Sequence, residues 1–366
     1  MVKLKAEEIK PDEELAYRMV RISGWDSPIT TPIKATLPGA GRGLINEMYR
    51  RFKLDTLKRI TNDSSWERKC LLDMKSQRRS EADMINFSVV ECAGDYKNIP
   101  DLEMEALADI QYCAADVLVS PIWGGPVKSL TGSRLAEALV DLNQRWVEAV
   151  EMRNHKTLVG LIPHKATRQM LGRIIDSFIE CGVEFFAVDF RNSFPDNNET
   201  KLRAVLRKLK QEDMLESTFI YAVNARAGTF AKKVDAVPAK DFVSFGFGID
   251  VLGCNHISVW RSEKGGKTRG EDEVSERTKR KVQKFSRDTY GYHRIGVDDA
   301  AKMIGVSTDN VFESIKNYNI GEQIAETSVL RKELSESKTL RPYLSRKTML
   351  GQQLIRSLRS FKKKLT

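Results

Sequence analysis

Residues 158–189 read LVGLIPHKATRQMLGRIIDSFIECGVEFFAVD. An apolar run, Leu158–Ile162, leads into a stretch from Arg168 to Cys181 whose apolar residues recur at helical spacing, closed by Gly182. A second apolar run, Phe185–Asp189, follows. Strands that are apolar on both faces, joined by an amphipathic helix, are the signature of a parallel sheet covered by helices.

The alternation extends in both directions. Upstream, Met84–Val90 and Asp116–Ser120 read as strands, Glu103–Cys113 as a helix, and Gly132–Met152 as a helix with Leu135, Leu139, Leu142, Trp146 and Val150 on one face. Downstream come a basic helix at Lys201–Glu212, a strand at Thr218–Val223, a short helix at Lys240–Phe245 and a last strand at Ile249–Leu252. Strand–helix units repeated in this order predict an α/β fold, a closed (β/α)8 barrel of TIM type in preference to an open sheet. The barrel is expected over residues 1–285 and a C-terminal helical region over 286–366, with helices at Ser307–Leu334 and Lys347–Leu365. The polar, glycine-containing segment Arg261–Lys284 is expected to be an exposed loop.

The chain has 366 residues and a net charge of +10. No acid follows Glu336, whereas Lys338, Arg341, Arg346, Lys347, Arg356, Arg359, Lys362, Lys363 and Lys364 do, so a near-neutral body carries a basic tail. The final helix sets Leu350, Leu354, Leu358, Phe361 and Leu365 on one stripe. Its cations (Arg346, Lys347, Arg356, Arg359, Lys362, Lys363, Lys364) are expected to contact nucleic-acid phosphates. No run approaches the roughly 18 apolar residues of a membrane span, and the mixed-charge N-terminus is not a secretory signal. The five cysteines are scattered without a CxxC pair. They read as buried, reduced thiols of a cytoplasmic protein, without structural zinc and with no cofactor expected. Pro38–Gly43 is glycine-rich but lacks the lysine of a phosphate loop and is expected to be a plain connection; His155 and His293 are isolated.

In a parallel barrel, chemistry gathers where strands end. That rule selects Glu91 and Asp95, Ser120–Gly125, His164 with Lys165, Asp189 with Arg191, Asn224 with Arg226, and Asp250 through Cys254 to His256. Each alone is equally a helix cap or a strand-end hydrogen bond; together they form a polar ring suited to acid–base or nucleophilic work.

The order of these segments resembles the tRNA-guanine transglycosylase superfamily, zinc-bearing TIM barrels that exchange guanine for a 7-deazaguanine. Glu105–Val117 is similar to the family's helix ending "IQ, two residues, LGADI", and Arg145-Trp146 to its "RW" helix. Leu158–His164 stands in place of "FGIVQGG" and Phe186–Phe190 in place of "YAIGGL". Pro238–Cys254 resembles "P, one residue, DLL, then GIDMFDC", and Asn317–Asn319 with Leu330-Arg331 the closing "HN … IR" helix. The resemblance implies base exchange in tRNA or DNA, with a 7-deazaguanine-type base as the second substrate. Its departures fall on the chemistry: the position of the family's aspartate nucleophile is Gly253, the base-recognising acid is replaced by Ser120-Pro-Ile, and the zinc cluster is missing. Asp250, Asp189 and Glu91 are therefore the candidate catalytic carboxylates, and His164, Arg191, Asn224, Cys254 and His256 the candidate base-binding residues. The alternative is a non-catalytic nucleic-acid-binding subunit of a base-modification complex; a homodimer or a partner subunit stays open.

Overall fold

The computed structural model describes residues 3–41, 43–94, 99–124, 130–153, 156–230, 234–257 and 281–365. Asp95, Gly125, His155 and residues 261–280, singled out above, lie outside them, as does Arg42 within the Pro38–Gly43 segment.

A small antiparallel sheet of β1 (Lys5–Pro11), β2 (Arg18–Ser23) and β3 (Ile29–Thr30) opens the chain. The main sheet is built from eight parallel strands: β4 (Ile33–Lys34), β5 (Ile45–Lys53), β6 (Ile85–Ala93), β7 (Val117–Val119), β9 (Thr157–Ile162), β10 (Phe185–Asp189), β11 (Ile220–Val223) and β13 (Val251–Leu252). Short β8 (Ile122–Trp123) adds to β6. Neighbours follow chain order from β5 to β13, and β13 pairs in turn with β4. Just past β4, the Thr36 N–H donates to Ile45 O and Thr36 O accepts from Glu47 N, both at 2.8 Å, so the first strand also meets the second.

Alternation along the strands sorts the core into two layers. Met48, Val90, Leu118, Ile162, Phe186, Val188 and Ala222 pack under the helices. Ile45, Phe87, Val89, Val117, Val119, Leu161, Ala187, Tyr221, Val223 and Val251 form a separate apolar cluster with Val20, Ile22 and Ile29 of the N-terminal sheet. The helices between strands are α1 (Leu54–Asn62), α2 (Ser64–Lys75), α3 (Asp101–Ala114), α4 (Gly132–Glu151), α5 (Arg168–Glu180) and α6 (Glu199–Gln211). Gly160 shows why one strand position stays bare: a Cβ there would come within 2.7 Å of the Phe178 ring, which α5 lays on β9.

Three expectations change. The segment expected to be loop through Lys284 becomes strand at Lys281, because β14 (Lys281–Ser286) pairs with β15 (Gly291–Gly296), which also holds β12 (Ala236–Pro238). The division drawn at 285 falls inside β14. Lys240–Phe245 is realised as a 3-10 turn over Phe242–Phe247. The hairpin is followed by α7 (Val297–Ile304), α8 (Val311–Glu336), α9 (Arg341–Ser345) and α10 (Gly351–Lys363). The last helix belongs to the packed body: Ile355, Leu358 and Phe361 are buried, and the Phe361 ring meets Phe247 edge-on at 5.2 Å. Burial of each such side chain contributes about 1.5–3 kcal/mol. All five cysteines are free; Cys70, Cys92 and Cys254 are buried, but Cys113 is exposed and Cys181 half-buried. No helix among the described residues is long and apolar enough to cross a membrane.

Candidate active site

At the C-terminal ends of the strands a connected polar group takes the place of apolar packing. Asp189 ends β10 and is buried; its Oδ1 accepts from Asn224 Nδ2 at 3.0 Å and from the Arg191 amide at 2.9 Å. Both bonds fall on one oxygen, leaving Oδ2 without a hydrogen bond among the described residues. Burial raises the Asp189 pKa above the ordinary carboxylate value, opposed by Asn224, the Arg191 amide and the charges of Arg191 and Lys201. Lys201, on α6, donates to the carbonyls of Pro163 at 2.6 Å and His164 at 3.1 Å. Its own burial depresses it to about 8.

Asn224 relays to the next strand: its Oδ1 accepts from the His256 amide at 3.0 Å. The imidazole of His256 stacks on Tyr49, centroids 4.1 Å apart and planes within 5°, and its Nε2 meets Glu47 Oε1. Tyr49 in turn donates to Glu91 Oε2 at 2.6 Å, and Arg191 Nη1 to Glu91 Oε1 at 2.9 Å. The path thus closes on itself: Asp189, Asn224, His256, Tyr49, Glu91 and Arg191, with Glu47 behind His256. Burial disfavours charge on Glu47, but His256, the Tyr221 hydroxyl and Lys34 outweigh it and hold its carboxyl below the usual range.

The backbone is strained here. Arg191, Asn192 and Asn224 have φ of 47°, 61° and 58°. Left-handed non-glycine residues cost of order 1 kcal/mol or more each and persist where surroundings over-determine them. Here the Arg191 amide and guanidinium bind two carboxylates, Asn192 N donates to Asn224 O at 2.9 Å, and Asn255 Nδ2 to Asn192 Oδ1 at 2.8 Å.

Beside His256 opens a cleft of about 620 Å³ whose far wall comes from the hairpin and α8. Cys254 lies in it with its thiol 3.3 Å from Lys34 Nζ, yet burial pushes that thiol up to about 11, so it is not a ready nucleophile. Asp241 lies in the same wall. Its Oδ2 accepts from the Tyr292 hydroxyl at 2.8 Å and Gln323 Nε2 at 3.2 Å. Oδ1 is buried without a hydrogen-bond partner, the Phe242 amide favouring the charged form without completing a bond. Burial raises the Asp241 pKa.

No protein-family model matches this chain, and no curated protein matches it.

The structure brings together Asp189, Glu91, Arg191, Asn224 and His256. His164 lies beside them, half-buried, its Nδ1 without a partner and its pKa lowered by burial and the Lys201 charge. Asp250 is not among them. It precedes β13, at the opposite end of the strand, where Arg18 Nη2 and Nε donate to it at 2.6 and 3.0 Å and the Ile220 amide at 2.7 Å. The expectation that it lines the same mouth is corrected: a two-residue strand makes Asp250 its start, and the guanidinium takes both oxygens. Lys347 is likewise not free for phosphate; it donates to Arg287 O at 2.7 Å and pairs with Glu326 at 3.3 Å. Arg359 pairs with Glu14 at 3.0 Å, and Lys362 is partly buried, while Arg346 and Arg356 are exposed. Lys363 and Lys364 stand exposed at the helix end. Among the described residues no group of three or more His, Cys, Asp and Glu is placed to hold a metal ion.

Sequence reasoning missed Glu47 and Tyr49. The signal available was alternation in Ile45-Asn-Glu-Met-Tyr-Arg-Arg-Phe-Lys53, whose odd positions Ile45, Glu47 and Tyr49 share one face. Glu47 also explains Gly253: a Cβ there would lie 2.6 Å from Glu47 Oε2 and 2.5 Å from Ala222 O.

Proposed function

We propose that the chain is a divergent base-exchanging transglycosylase of nucleic acid, a TIM-type barrel whose mouth carries Asp189 as nucleophile and the His256–Glu47 pair as proton carrier. Closure of the eight strands into a barrel is supported by Thr36, which hydrogen-bonds β5 while β4 pairs with β13. The single observation that carries the activity is the free Oδ2 of buried Asp189, held at a strand end by Asn224 and a strained Arg191.

The chemistry is balanced as two displacements. Asp189 Oδ2 forms a bond to the sugar anomeric carbon as the glycosidic C–N bond breaks, and the departing base takes a proton from an acid. A nitrogen of the incoming base then gives up its proton and attacks the same carbon, releasing the carboxylate. His256, oriented by Glu47 and Tyr49, serves that proton in both directions. Asp241 Oδ1 supplies an unused acceptor for a ring N–H or amino group of a base in the cleft. The target nucleotide is flipped to reach the mouth. Neither tRNA nor DNA is favoured by these residues, and 7-deazaguanine as the incoming base follows from the family resemblance alone.

A non-catalytic nucleic-acid-binding subunit is the second reading, favoured by the space at residue 253, which is too tight for any side chain. Labelled-guanine exchange into tRNA and into duplex DNA separates the two. Exchange by the unaltered protein, lowered at least about a thousandfold in Asp189→Asn, supports the enzyme. No exchange with either polymer supports the subunit.

A further inference from the structure

We infer that a groove on the outer helical layer, away from the candidate active site, is a binding track for the phosphate backbone of nucleic acid. The groove holds about 750 Å³ between α5, α6 and the chain's C-terminal end. Thr200, Arg203, Arg207 and Lys210 recur along α6 at three- and four-residue steps, so one stripe of that helix faces it. Arg168, at the start of α5, closes the stripe at one end.

The charge there is only partly spoken for. Arg203 pairs with Glu199 at 3.4 Å, and Lys208 with Asp176 and Glu212 at 2.6 Å each. Arg207 donates to the Lys364 carbonyl, which is neutral and brings the basic chain end alongside. Arg168 and Lys210 pair with no carboxylate among the described residues, and both are exposed. Three cations without a carboxylate partner, Arg207 and Lys210 on α6 and Arg168 at the start of α5, match a row of phosphodiesters better than a compact small anion. The same helix sends Lys201 to the carbonyls beside Asp189. A strand lying in the groove is therefore led toward the mouth, which gives the site its polymer; this last step rests on the proposed function, whereas backbone binding does not.

The test is fluorescence anisotropy with labelled 20-nucleotide single-stranded DNA and RNA of mixed sequence, across a salt series. The triple variant Arg168→Glu/Arg207→Glu/Lys210→Glu should weaken binding at least tenfold and lower the log–log salt slope by about 2, at about 0.7 per lost phosphate contact. A triple alanine variant should move both in the same direction by less, and circular dichroism confirms that each is folded. Lys58→Glu/Lys302→Glu, at exposed positions on α1 and α7 outside the groove, should leave affinity within about twofold. Unchanged binding in both groove variants, or no binding of either polymer by the unaltered protein, overturns the inference. Failed base exchange by the unaltered protein, with its binding of both polymers intact, would strike the proposed function and leave the track standing.

Discussion

Two buried carboxylates stand at opposite ends of the parallel strands, and they are used differently. Asp250, at the start of β13, has both oxygens engaged by Arg18 and one also by the Ile220 amide. The guanidinium is itself completed by the carbonyls of Leu215 and Thr218 and by Glu8. Asp189, at the end of β10, concentrates its hydrogen bonds on one oxygen and leaves the other open, with no full counter-ion in contact. Burial raises the pKa of both. Burial alone therefore does not tell the two apart; the proposed site differs in having a carboxylate oxygen with no hydrogen bond among the described residues, beside a strained backbone.

The largest expected effect breaks the saturated end. Asp250→Asn leaves the Arg18 guanidinium in the interior with Glu8 as its remaining carboxylate, and removal of one partner of a buried pair costs about 3–5 kcal/mol. Urea denaturation of the purified variant measures this; a loss below about 1 kcal/mol would mean that the pair is not structural.

Next in size is Gly253→Ala, at the mouth. Its Cβ would press on a backbone carbonyl and on Glu47, so a loss of about 1–3 kcal/mol is expected, with Glu47 or β11 displaced. Unchanged stability would show that Glu47 can move away and that residue 253 has room for a longer side chain.

The contrast also shows how far the sequence can be read. Strands apolar on both faces, such as Phe185–Asp189, were legible within one or two residues because no other structure buries such runs so completely. Ile45–Lys53 was not: three of its nine residues are cations and its buried face includes Glu47, so it resembles a surface segment. The polar ring was partly legible because strand-end loops announce themselves. Asp250 was misplaced because β13 has two residues, too few for sequence to tell start from finish. The tail's stripe of Leu350, Leu354, Leu358 and Phe361 was visible, but charge suggested a phosphate contact where the apolar face in fact packs on the body.

A smaller effect sharpens the mouth side. Lys201 is depressed by burial from 10.5 to about 8 in the folded chain. The unfolded chain thus holds more protons between those values, and folding stability gains as pH rises from about 8 toward 10.5. Lys201→Gln removes that slope. The difference between the two proteins, measured by urea titration at pH 7.5 and 10, should therefore shrink or shift in favour of the lysine as pH rises; a pH-independent difference would mean that Lys201 is not desolvated.

The most direct measurement pairs stability with exchange for Asp189→Asn. The neutral side chain keeps the Oδ1 contacts and relieves the burden of a buried charge, so stability should stay within about 1 kcal/mol of the unaltered protein or exceed it. Guanine exchange should fall at least about a thousandfold. A loss of stability as large as that of Asp250→Asn, or exchange that survives the substitution, would contradict the account.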